Sequence, residues 1–174
     1  MDIKRLFFAL WPDESIRAQL LSVGTPLHIV GGRWVADNNL HLTLVFLGNV
    51  DARRQDCAQQ AASGIKGQRF DLVFDMLGYW RHSNTLWLGP SRTPTELLFL
   101  IDTLHANLVP CGFTPEAHAY RPHITLARKL HKNLAGTTIA PIHWPIDRFV
   151  LVASSQEQGG VRYEILKSWD LINS

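Results

Sequence analysis

The tetrapeptide His-Leu-Thr-Leu at 41–44 returns as His-Ile-Thr-Leu at 123–126. Polar and apolar residues alternate at period two, which fits a half-buried strand and not a helix. His41 and Thr43 therefore share one face, about 7 Å apart along the strand. Leu42 and Leu44 share the other. His123 and Thr125 repeat the outward set, and Ile124 and Leu126 the inward set. The chain must bury both apolar rows and leave both polar rows accessible. Laid side by side, two such strands line one groove with two imidazoles and two hydroxyls. His-x-Thr twice is unremarkable in a chain with 8 His; apolar residues at both alternating positions make the pair specific. Two unrelated amphipathic strands are the plain alternative.

At 174 residues the chain is one domain, 1–174, or two small lobes sharing a core. A formal charge of only +2 argues against wrapping nucleic acid as a whole molecule, so any phosphate contact is local. Cys57 and Cys111 show neither C-x-x-C nor metal-ligand spacing, which points to a reducing compartment. The apolar run Leu6–Trp11 is too short for a signal-peptide core, and no stretch of about 18 apolar residues exists to span a membrane. The cytoplasm is the expected location.

The spacing predicts a strand over Arg5 to Trp11 and a helix from Pro12-Asp13-Glu14 to about Val23-Gly24. The first motif strand is expected over Asn39 to Phe46, closed by Gly48-Asn49. A helix follows over Asp51 to Ile65, then strands at Phe70 to Met76 and Thr85 to Leu88. Pro94 opens a helix carrying Leu97, Leu98, Ile101, Leu104 and Leu108. The second motif strand is expected over His123 to Ala127, followed by a polar mobile segment to Gly136. Arg148 to Ala153 and Arg162 to Leu166 form a hairpin through Gln158-Gly159-Gly160. Each half then has a strand, a helix and a motif strand. This order predicts an α+β, bilobal, duplicated fold, with antiparallel-rich sheets lining a central groove and helices outside.

Histidine's ordinary pKa near 6.5 lets one imidazole be neutral while the other is protonated. Such a pair cleaves a phosphodiester without a metal: the neutral ring takes a proton from water, and the charged ring gives one to the departing oxygen. Thr43 and Thr125 can donate to non-bridging oxygens as charge builds, although Thr also suits strands by shape alone. Arg128 lies five positions past His123, the wrong parity for the groove unless the strand ends near Ala127. There its guanidinium offers a fork to phosphate; a solvated surface charge is the alternative. His28, His82, His105, His118, His131 and His143 lack the repeated frame and receive no role. Zinc is the rival use for His41 and His123, but neither H-E-x-x-H nor H-x-x-E-H is present.

Two H-x-T-x motifs about 80 residues apart resemble those of the two-histidine (2H) phosphoesterases, and within them the RNA 2′,3′-cyclic phosphodiesterases, also known as 2′–5′ RNA ligases. The resemblance runs from Arg5-Leu-Phe-Phe-Ala9 through Asn39-Leu-His-Leu-Thr-Leu-Val-Phe-Leu-Gly48 and Trp87-Leu-Gly89. It continues to Pro122-His-Ile-Thr-Leu126 with Arg128, then Arg162-Tyr163 and Trp169. It implies pseudo-two-fold symmetry and a reaction without metal or other cofactor. The reaction is hydrolysis of an RNA 2′,3′-cyclic phosphate to a 2′-phosphate, with ATP-independent 2′–5′ joining as its reverse. It implies His41 as acid, His123 as base, Arg128 on phosphate, and Phe7 and Tyr163 as aromatics that stack on a base. The residues themselves leave Phe7 equally readable as a core side chain and do not assign acid and base. The implied partner is an RNA 3′ end bearing the cyclic phosphate, or a related nucleotide, bound by a monomer away from membranes. Rival readings are a phosphodiesterase for 2′–5′ oligonucleotides or a small cyclic nucleotide, and an RNA-end binder without chemistry. An ATP-driven ligase would need a P-loop or nucleotidyl-lysine motif, and none is present.

Overall fold

A computed structural model describes residues 3–24, 31–131 and 137–173. His28 and residues 132–136 of the polar segment lie outside the described residues. The elements run β1 (Lys4–Leu10), α1 (Glu14–Ser22), β2 (Arg33–Trp34), β3 (Leu42–Val50), α2 (Ala52–Ser63), β4 (Phe70–Trp80) and β5 (Thr85–Gly89). They continue with α3 (Thr95–Leu108), β6 (Ile124–Arg128), β7 (Thr138–Ile146), β8 (Arg148–Glu157) and β9 (Gly160–Asp170). Asp13 and Asp51 cap α1 and α2 by accepting from the Ile16 and Arg54 amides at 2.8 Å, each contributing about 1 kcal/mol.

All named strands join one antiparallel sheet in the order β7-β4-β5-β6-β3-β1-β8-β9, with β2 paired to the far end of β6. The order reads the same from the centre towards either edge: a motif strand, a strand preceding a helix, then an outer pair. One lobe is β3-β1-β8-β9 and the other β6-β5-β4-β7. The duplicated architecture is therefore present, but the lobes are interleaved in sequence, because the last two strands complete the first lobe. Among the described residues, the strands of the two lobes pair at Leu42↔Ile124.

The apolar rows pack as the motif spacing demands: Leu42, Leu44, Ile124 and Leu126 are all buried. On the core side, Leu6, Phe8 and Leu10 of β1 join them with α1 and α3 residues. On the other side, Phe7 and Ala9 pack with Val150 and Val152 in a small second cluster. β1 is buried on both faces, which explains its unbroken apolar run. In α3 the helical stripe is Leu97, Leu100, Ile101, Leu104 and Leu108; Leu98, expected in the stripe, is 41% exposed.

Three expectations are corrected. Gly48-Asn49 do not close β3, which runs on to Val50 paired with β1; Gly48 takes φ +73° where Leu47 bulges out of register, a backbone state that glycine adopts without strain. β7 has no counterpart in the sequence reading, because Pro141 and Pro145 argue against a strand. It lies at the sheet edge, where missing amide donors are tolerated, and it buries Ile142, Trp144 and Ile146. Finally, Cys57 of α2 and Cys111 in the turn after α3 form a disulfide across 54 residues, against the reading of a reducing compartment. Packing of α2 on α3 brings them together, which no sequence spacing could reveal.

The disulfide is expected to stabilise the fold by about 2–4 kcal/mol through closure of that long loop. Urea unfolding should show reductant weakening the wild-type chain by this amount and leaving Cys111→Ser unchanged. Identical curves for both chains with and without reductant would mean that the thiols are unpaired.

Candidate active site

The seam pair Leu42↔Ile124 sets the site. Carried one residue either way, its antiparallel register puts His41 across from Thr125 and His123 across from Thr43. All four residues line one cleft of about 1410 Å³, larger than the 300–1,000 Å³ usual for a small-molecule pocket. Both histidines are held alike. The Nδ1–H of His41 donates to the Asn39 carbonyl at 2.6 Å, and that of His123 to the Arg121 carbonyl at 2.8 Å. A carbonyl can only accept, so each Nδ1 keeps its hydrogen, and Nε2 is left to gain or give a proton.

Arg128 reaches the cleft by a route that alternation cannot show. β5 pairs Trp87 with Thr125 but Leu86 with Ala127, so Leu126 is an extra residue in β6. This bulge resets the alternation and returns Arg128 to the face of His123 and Thr125. The strand runs through Arg128 and does not end at Ala127. The first motif has the same device. β1 pairs Ala9 with Thr43 and Phe8 with Val45, leaving Leu44 extra, and the residue so delivered is Phe46. Phe46 is 43% exposed in the cleft, with the Arg5 guanidinium 5.1 Å from its ring centroid. Phe46 was missed in the sequence, although its place five residues after His41 matches that of Arg128 after His123.

Each imidazole sits in an aromatic cradle. His41 stacks on Trp11 at 5.2 Å and meets Phe7 and Tyr163 at 5.0 Å each. His123 stands edge-on to Trp80 at 4.6 Å, with Trp87 beyond it. Trp11 and Trp80 were not singled out from sequence; Trp11, just past β1, stacks on His41, and Trp80 of β4 lines the cleft. Phe7 is 2% exposed, because His41, Phe46 and Tyr163 cover its ring. It packs against the His41 ring and presents little surface to the cleft it borders. Tyr163 is half-buried with its edge contacts turned to the same cradle. Two histidines without an expected role, His82 and His118, also line the cleft.

Burial in this cradle lowers the His41 pKa from 6.5 to about 4, with His123 and Arg128 adding to the lowering and the Asn39 carbonyl opposing it. Burial and Arg128 also lower His123, against the Arg121 carbonyl. These shifts hold both rings neutral at pH 7, where the spacing alone leaves one free to be charged. A bound anion would counter Arg128 and raise both pKa values. Among the described residues, no three His, Cys, Asp or Glu side chains come together as a metal site.

A family model described as the 2′-5′ RNA ligase superfamily matches residues 14–158. The chain belongs to this superfamily. Among superfamily relatives, the Escherichia coli RNA 2′,3′-cyclic phosphodiesterase is 36% identical over 173 residues, covering 97% of each chain. That of Thermotoga maritima is 29% identical, covering 93% of this chain and 92% of its own. The fold superposes on E. coli LigT in apo form at TM-score 0.88 and 34% identity, covering 98% of this chain and 99% of that one. The E. coli LigT complex with 3′-AMP gives TM-score 0.85 at 35% identity, with the same coverage.

NMR titration of the free protein should place both His41 and His123 below pH 6.5, His41 near 4, and a nucleoside 2′-phosphate should move both upward. Because the unfolded chain takes up these protons first, stability is expected to fall as pH drops from about 6.5 towards 4. A normal titration for either ring would contradict the buried cradle.

Proposed function

We propose that this chain hydrolyses RNA 2′,3′-cyclic phosphate ends to 2′-phosphomonoesters, with His41 and His123 as the acid–base pair. The observation that carries this reading is the pair of identically pinned imidazoles facing one cleft across the Leu42↔Ile124 seam. The names of the superfamily relatives supply the substrate class, and a relative solved with 3′-AMP supports a nucleotide in such a cleft.

In the proposed reaction the cyclic phosphate lies between the rings, its non-bridging oxygens against Arg128 and the Thr43 and Thr125 hydroxyls. Neutral His123 takes a proton from water as the water oxygen bonds to phosphorus. The P–O3′ bond breaks, and His41 gives its Nε2 proton to O3′. Arg128 both binds the anion and lowers the two pKa values, so substrate binding offsets its effect on the imidazoles and favours charging of the acid. After turnover His41 is neutral and His123 charged, and exchange with solvent resets the pair. The same geometry with a ribose 5′-hydroxyl in place of water gives 2′–5′ joining without ATP. Phe46 offers an exposed ring for the base of the terminal nucleotide. The size of the cleft favours an RNA end over a small cyclic nucleotide, and a binder without chemistry would need no matched imidazoles.

We place the functional unit as the whole chain, one domain of two lobes, since each lobe supplies one histidine. One copy holds both, so a monomer suffices. The cytoplasm remains our proposed location, and the Cys57–Cys111 disulfide is the observation that weighs against it. No helix among the described residues is long and apolar enough to cross a membrane.

Incubation with an oligoribonucleotide ending in 2′,3′-cyclic phosphate, in EDTA, should give only the 2′-phosphate by ³¹P NMR. His41→Ala and His123→Ala should each lower kcat by about 10²–10⁴-fold while the fold is retained. The kcat/KM optimum should lie below pH 6.5, with the limbs of kcat higher, because kcat/KM reports the free protein. Hydrolysis surviving in both variants, or a 3′-phosphate product, would reject the mechanism.

A further inference from the structure

Behind His123 the cleft opens into a side pocket of about 210 Å³ lined by Trp80, Trp87, Pro90, Thr93 and Arg121, with His123 shared between the two spaces. A single attacking water needs far less room, since its share of liquid volume is about 30 Å³. Nor is the pocket a gap left by loose packing. A Cβ on Gly78 would overlap the Trp87 indole, and one on Gly89 would press on both that ring and the Pro122 carbonyl. Two glycines on paired strands thus let Trp87 lie flat, with Trp80 at 5.3 Å beside it. Trp87 Nε1 is buried with no hydrogen-bond partner among the described residues, a cost that an aliphatic residue would avoid. Its value at this position is therefore the ring face. Arg121 is exposed at the pocket mouth, and its carbonyl orients His123.

We propose that this pocket is a second nucleoside subsite, which presents the 5′-hydroxyl of an RNA strand to His123 in place of water. Its base packs on the Trp80–Trp87 platform, as bases do on exposed aromatic rings. Arg121 meets the phosphate that follows the nucleoside, a charge-assisted contact. The occupant is a 5′-hydroxyl nucleoside with a 3′-linked phosphate. The assignment rests on the proposed hydrolase chemistry at the same centre. In the step, the O5′ proton passes to His123 Nε2 and O5′ bonds to phosphorus. The P–O3′ bond breaks and His41 protonates O3′, leaving a 2′–5′ diester with a free 3′-hydroxyl.

The test is a partition. An oligoribonucleotide 2′,3′-cyclic phosphate is given to the full chain with increasing ApA, a dinucleotide with a free 5′-hydroxyl, or with adenosine. The ratio of 2′–5′ joined product to 2′-phosphate is then measured. The ratio should rise and saturate, ApA reaching half-saturation at about tenfold lower concentration than adenosine. Thr93→Trp, which fills the pocket, should cut the ratio by about tenfold or more. Arg121→Ala, a surface change that keeps the carbonyl, should erase the ApA advantage and serves if Thr93→Trp does not fold. Hydrolysis without any joined product, or a ratio unmoved by both variants, overturns the subsite. Absence of hydrolysis instead defeats the hydrolase reading. The subsite is then judged by whether ApA shifts the Trp80 and Trp87 indole resonances in His123→Ala, and unmoved resonances reject it.

Discussion

One backbone pair, Leu42↔Ile124, holds the two lobes in register. Its strength comes from the apolar rows beneath it. Leu42, Leu44, Ile124 and Leu126 are buried in one continuous core, so a one-residue slip of either motif strand would turn its own apolar row outward and its histidine inward. Each imidazole owes its position to that seam. The cost of slipping, and not any direct contact between the rings, keeps them facing one space.

The leucine bulge after each threonine is the second constraint. Leu44 and Leu126 each add one residue to a motif strand, and each delivers the residue two places on to the cleft. In one lobe this is a cation, Arg128, and in the other an aromatic ring, Phe46. The duplication thus supplies symmetric imidazoles and asymmetric neighbours: a charge at one end of the cleft and an exposed ring at the other.

The aromatic cradles serve two purposes. They fix the ring planes, since each imidazole is pinned at Nδ1 and packed on its faces or edges. They also exclude water, which keeps the imidazoles neutral until an anion arrives. Burial outweighs the favourable carbonyl contacts in both rings, so the cradle sets the protonation state of the two imidazoles. Phe7 and Tyr163 both pack against the His41 ring, and Phe46 is the more exposed ring in the cleft.

Local rules were enough for much of this molecule. Period-two alternation located both motif strands and their buried faces, the Asp13 and Asp51 caps marked helix starts, and Gly159-Gly160 marked the last hairpin, because each of these signals acts within a few residues. The motif pair was legible for the same reason, and it named His41, Thr43, His123 and Thr125. Tertiary structure decided what depends on partners distant in sequence. The bulges that aim Arg128 and Phe46 exist only against β5 and β1, and the edge position that tolerates Pro141 and Pro145 exists only in the assembled sheet. The Cys57–Cys111 link, the lowered imidazole pKa values and the glycine bed under Trp87 likewise arise from packing between elements. Sequence by itself determined which paired side chains would share a strand face; the folded sheet decided that they line one cleft and how they are aimed and charged, since direction and burial are properties of neighbours that the chain brings together only on folding.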